Sequence, residues 1–201
     1  MRRYACFVIA VLMLAASAAY GTPVTFTVNL SPANEIPPTA SSGTGFATVV
    51  LDPTAQTLQL TVTFSNLTTL DSAAHIHCCL PSPFATTNVG VATAVPAFPG
   101  FPLNVTSGTY SSPVFDLTQS LIYNPAFVTA QGGLPQAENA LIAGILNGET
   151  YLNIHTTMFG GGEIRGFLVA VPEPTSLVLL PFALAGCCLA VRRLRRAPMG
   201  S

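Results

Sequence analysis

Leu58-Gln59-Leu60-Thr61-Val62-Thr63-Phe64 places an apolar side chain at every second position, with polar ones between. Successive side chains of a strand point to opposite faces, so this stretch reads as a strand with one face on a core and the other in water. By the same rule Val24, Phe26, Val28 and Leu30 share one face of a first strand, and Thr44 to Asp52 supplies a second. Pro37-Pro38, Ser41-Ser42-Gly43 and Asp52-Pro53 separate the three, because proline fixes φ while serine, aspartate and glycine favour turns. An antiparallel meander is the expected opening.

Downstream the alternation is less regular. Short strands are expected at Ala73 to His77, Val89 to Val95 and Thr109 to Leu117, with a Pro/Phe/Gly loop from Pro96 to Leu103. Leu117 to Thr129 looks helical but interrupted at Pro125. Pro135 to Leu146 looks helical because Ala137, Leu141 and Ile145 recur four apart. Thr150 to Thr156 and Glu163 to Val169, joined by a glycine-rich turn, read as a hairpin. The expected fold class is all-β: an antiparallel β-sandwich, Greek-key and immunoglobulin-like or dismutase-like, with a short helical insertion before its last hairpin.

The two ends read as addresses. Arg2 and Arg3 precede an apolar run from Ala5 to Leu14 and then small residues, with Ala16-Ser17-Ala18 as an A-x-A site, so 1–19 is expected to be a signal peptide removed by signal peptidase. Near the other end stand Pro172, Glu173 and Pro174, then an apolar run over 176–191 that is expected to be one transmembrane helix, then Arg192, Arg193, Arg195 and Arg196. The arginines should hold the far end of that helix in the cytoplasm. This order resembles the PEP-CTERM sorting signal of Gram-negative bacteria. The resemblance covers 171–196 and implies handling by an exosortase at the inner membrane, with delivery to the cell surface or an exopolysaccharide matrix.

The domain between, 22–170, is of a size for one core. The whole chain is near neutral, but six of its seven arginines lie in the two ends and it has no lysine. The domain sets Arg165 alone against Glu35, Asp52, Asp71, Asp116, Glu138, Glu149 and Glu163, one base against seven acids and a formal balance of −6. A surface with a single arginine cannot neutralise a row of phosphates, which argues against nucleic acid as a partner. Such a domain attracts cations.

The candidate chemistry gathers at the three histidines. In Ala74-His75-Ile76-His77-Cys78-Cys79, strand alternation points His75 and His77 the same way. His155, in Asn153-Ile154-His155-Thr156, would complete a set of three imidazoles, with Glu163, Cys78 or Cys79 as further donors. Three nitrogens suit copper or zinc, and a thiolate would shift the preference toward Cu(I) or zinc. The competing reading is that the histidines pin loops by hydrogen bonds and bind nothing. Adjacent Cα atoms across a trans peptide lie about 3.8 Å apart, below the usual disulfide range, so a Cys78–Cys79 bond would be strained and suited to a redox role. Metal thiolates, bridges to a second chain and free thiols stand beside it as alternatives. Glu163 and Arg165 share one strand face, and Arg165 is expected to form a structural ion pair there or on a neighbouring strand. The chain shows no nucleophile elbow, Walker loop or dinucleotide fingerprint, so no catalytic residue is assigned and a non-enzymatic module is expected.

Leu30 to Pro38, Gly45 to Asp52, Phe64-Ser65-Asn66-Leu67, Ala73 to His77, Tyr151 to Thr156 and Gly162 to Gly166 together resemble the CHRD domain, in order and across nearly the whole of 22–170. The resemblance implies a β-rich extracellular module and carries no catalytic residues. Cys78-Cys79 departs from it, standing where many members have glycine and proline. The stretch Phe64 to His77 is similar to copper-zinc superoxide dismutases by fold-level analogy alone, since the other metal ligands of a dismutase have no counterpart.

Overall fold

A computed structural model describes residues 23–81 and 87–172. The signal-peptide segment, Glu173, Pro174, the 176–191 span and the four terminal arginines therefore lie outside the described residues. Among the described residues no helix is long and apolar enough to cross a membrane. The chain divides into two compact units at Ala170, and the described strands and helices all belong to the first.

Strands β1 (Val24–Leu30), β2 (Thr44–Asp52) and β3 (Thr57–Ser65) form the expected meander. β1 pairs β2 from Val24↔Leu51 to Leu30↔Gly45, and β2 pairs β3 from Thr44↔Ser65 to Asp52↔Thr57. The alternation decides which face is buried. Leu58, Leu60, Val62 and Phe64 are buried while Gln59, Thr61 and Thr63 are exposed. β5 (Gly108–Ser111) and β6 (Phe115–Asp116) add to the far edge of β3. A second antiparallel sheet has the order β4-β7-β8, from β4 (Asp71–Cys78), β7 (Thr150–Thr156) and β8 (Ile164–Phe167). Val28 and Leu60 from the first sheet and Ile76, Leu152, Ile154 and Ile164 from the second belong to one core. The two sheets approach so closely at Gly166 that a Cβ there would collide with the Asn29 carbonyl, which makes a side chain untenable at that position.

Three expectations need correction. Val89 to Val95 is not a strand: it meets neighbours only at isolated bridges, His77↔Val91 and Thr93↔Tyr123. The Thr93 hydroxyl takes the Ile76 N–H at 2.8 Å, so that donor is not available to a backbone ladder. Pro125 does not interrupt a helix but starts one. Helix α1 (Pro125–Gln131) has Asn124 as its N-cap, its side chain accepting from the Ala126 N–H, and proline suits the first helical turn because its missing N–H has no intrahelical partner there. The expected strand from Glu163 to Val169 is two strands in two sheets. β8 ends at Phe167, and β9 (Val169–Ala170) crosses to the other sheet and pairs β1 at Phe26↔Ala170 and Thr27↔Val169.

Helix α2 (Leu134–Leu146) matches the expected insertion and buries Ala137, Leu141 and Ile145 against the core. Gly144 faces β4 closely enough that an added Cβ would lie 2.6 Å from the Cys78 sulfur.

Candidate metal centre

β4 and β7 run side by side with His75 opposite Asn153, His77 opposite Tyr151 and Ala73 opposite His155. Strand alternation therefore puts His75, His77, Tyr151, Asn153 and His155 on one face of the sheet, and Ala74, Ile76, Cys78, Leu152 and Ile154 on the other. The second group enters the core. The first forms a polar layer that is nonetheless buried.

Within that layer one ring nitrogen from each of His75, His77 and His155 lies within 4.8 Å of the others. Hydrogen bonds fix how two of the rings are turned. His77 Nδ1 is 2.7 Å from the Val89 carbonyl and His155 Nδ1 is 3.0 Å from the Gly160 carbonyl. A carbonyl oxygen only accepts, so each Nδ1 carries the proton and donates, which leaves a lone pair on each Nε2. Those two Nε2 atoms, and Nδ1 of His75, are buried with no hydrogen-bond partner.

Burial also removes the charge from these rings. It pushes the His75 pKa down to about 3, with the neighbouring His155 and His77 pushing the same way. Burial lowers His77 to about 4 against the raising effect of the Val89 carbonyl, with His155 and Arg165 adding to the depression. His155 is likewise lowered by burial, opposed by Gly160. Near neutrality all three are uncharged imidazoles, the form that binds a metal.

The other candidate donors lie elsewhere. Cys78 faces the core, and its sulfur is bonded to that of Cys79 in a disulfide across a cis peptide, with the Cα atoms 3.0 Å apart. The trans geometry assumed for the pair is thus corrected, and neither sulfur joins the histidine group. Glu163 is committed as an acceptor: Oε1 takes the Ser41 hydroxyl at 2.5 Å and the Thr68 N–H at 2.6 Å, and Oε2 takes the Thr156 hydroxyl at 2.6 Å. Burial raises its pKa, but these bonds outweigh that and hold it below the usual value.

The expected Glu163–Arg165 ion pair is also corrected, because both side chains are spent on other partners. Arg165, 0 % exposed, donates from Nε to the Asn34 carbonyl and from Nη1 to Asn88 Oδ1 at 2.7 Å. Its guanidinium lies 4.5 Å over the Tyr151 ring. The carboxyl whose charge it feels is Glu35, which burial raises to about 7 against the lowering influence of Arg165 and the Asn153 amide. Glu35 and Tyr151 escaped the sequence reading as site residues. The only signal available was their place in the two stretches that carried the family resemblance.

Fold and site together define a two-sheet antiparallel β domain with a buried, uncharged histidine trio on one face of its smaller sheet. The chain matches the family model described as CHRD domain over residues 26–168, and it belongs to that family, a module of extracellular, secreted type. No curated protein and no solved structure matches it.

Proposed function

We propose that this chain is an exported, non-enzymatic module that binds zinc or copper through Nδ1 of His75 and Nε2 of His77 and His155. The observation that carries this reading is that the three rings bring a nitrogen each within 4.8 Å of the others and each holds a buried ring nitrogen with no partner in the protein. Buried polar atoms are nearly always paired, and leaving one unpaired costs about 1–3 kcal/mol. One metal ion would satisfy all three. Bonds of about 2.0–2.1 Å place tetrahedral donors roughly 3.4 Å apart, so the trio, which lies within 4.8 Å, needs only small ring rotations to close on an ion. The backbone carbonyls on Nδ1 of His77 and His155 supply the outer hydrogen bonds that metal-ligating histidines use to fix their tautomer.

Three protein donors leave one coordination position open, and the ion, when bound, would supply Lewis acidity, or redox chemistry if copper. The reading stops at binding because Glu163, the carboxylate among the candidate donors, is already committed to two hydroxyls and an amide.

Destination is part of the same proposal. The order of Pro172-Glu173-Pro174, apolar run and arginines supports exosortase handling at the inner membrane of a Gram-negative bacterium, with release to the surface or an exopolysaccharide matrix. Elemental analysis of protein purified without chelators and then loaded with zinc or copper tests the metal reading. One ion per chain is expected, lost in His75→Ala and His155→Ala. No stoichiometric metal after loading would overturn it.

A further inference from the structure

The orientation of His77 depends on contacts that lead back to a residue with no place in the ligand set. Its Nδ1–H points at the Val89 carbonyl, and Val89 follows Asn88 in the chain. Asn88 is pinned from two sides: its Oδ1 accepts from Arg165 Nη1 at 2.7 Å, and its Nδ2 donates to the Ile36 carbonyl at 2.9 Å. The plane of the His77 ring is fixed separately. It stacks on Tyr151 with centroids 4.6 Å apart and planes within 9°. Arg165 lies over that same Tyr151 ring, and the Tyr151 hydroxyl meets the Val89 N–H at 3.4 Å.

Arg165 thus reaches His77 by two routes, one through Asn88 and Val89 to the ring nitrogen, one through Tyr151 to the ring plane. A planar guanidinium can hydrogen-bond in its plane and stack with its face at once, and lysine cannot. His155 makes an internal contrast. Its Nδ1 anchor is Gly160, on the turn between β7 and β8, and Arg165 neither hydrogen-bonds to that carbonyl nor stacks on that ring.

We propose that Arg165 is a positioning residue of the metal centre, holding His77 in the Nδ1–H tautomer and ring plane that aim its Nε2 lone pair at the other two histidines. This rests on the metal reading above, but the arrangement of His77 exists without the ion and can be measured without it.

The test uses the full-length chain, labelled with 15N at histidine, as wild type, Arg165→Lys and Asn88→Ala. Ring-nitrogen spectra of the metal-free protein report each tautomer, and competition with a chromophoric chelator reports zinc affinity. In Arg165→Lys the His77 signals should move from one tautomer to a mixture while those of His155 stay, and zinc affinity should fall about 10–100-fold, as outer-shell changes do at other sites. Asn88 is exposed, so Asn88→Ala should fold normally and shift the same signals, with about a tenfold loss at the low end of that range. If Arg165→Lys fails to fold, Asn88→Ala decides alone. Wild-type tautomers in the variants, or equal shifts of His77 and His155, would overturn the proposal. A wild type that binds no zinc sinks the metal reading, and the metal-free spectra still settle what Arg165 does.

Discussion

The two faces of the β4-β7 pair are both buried, yet they differ in everything else. One face carries Ala74, Ile76, Leu152 and Ile154 into the common core, where each removes apolar surface from water. The other carries His75, His77, Asn153 and His155, of which every one has a buried polar atom without a partner. The first face contributes stability by the usual means. The second costs stability in the metal-free protein, because desolvated donors and acceptors are left unmatched. On the proposed metal reading, an ion shared by the three histidines offsets that cost.

The sharpest way to break that contrast is to truncate each face. Leu152→Ala, on the core face and wholly buried, should lose about 2–5 kcal/mol in urea unfolding of the metal-free chain. A loss below 1 kcal/mol would mean that the core does not rest on this sheet. His75→Leu, on the polar face, should instead leave the metal-free protein as stable as wild type or up to about 1 kcal/mol more stable, since it removes an unpaired nitrogen, while abolishing zinc binding.

Acid probes the same face. The folded pKa values of His75 and His77 lie near 3 and 4, below the ordinary 6.5, so at intermediate pH the unfolded chain binds protons that the folded chain refuses. Their contribution to stability must therefore fall as pH drops below about 6.5, down to about 4 for His77 and about 3 for His75; Glu35, raised to about 7, works in the opposite sense down to its ordinary 4.5, one group against two. Unfolding midpoints of the metal-free protein between pH 7.5 and 5 should show this slope, and His75→Leu should lessen it. A slope unchanged by that variant would remove His75 from the account. The smallest effect belongs to the outer face of β3: Thr61→Val, exposed and uninvolved, should change stability by less than about 0.5 kcal/mol.

Legibility followed exposure. β1, β2 and β3 could be read from alternation because one of their faces meets water and the other does not. β7 is buried at every position, so its sequence carries no such contrast, and the glycine-rich turn that follows it marked the hairpin. The histidine pair was visible from H-x-H spacing, since strand geometry puts i and i+2 on one face. That His155 joins them depended on β4 pairing with β7 across more than seventy residues, which spacing does not encode. The anchors at Val89 and Gly160 were invisible because they are backbone carbonyls, which every residue has. Arg165 was recognised as the domain's sole base but given the wrong partner. Sharing a strand face with Glu163 proved weaker than the carbonyl and amide groups brought in by Asn34 and Asn88.

The crossing of β9 to β1 has a mechanical consequence. Val169 and Ala170 end the first compact unit beside the start of its first strand, joined to it by only two register pairs in antiparallel sense. A pull that draws the chain beyond Ala170 away from the start of β1 opens these bonds one after another, as a zipper does, instead of loading them together in shear. A domain tethered by that end would yield first at these two residues. The histidine sheet and the core behind it would stay closed, and the short strand could pair again once the load was gone.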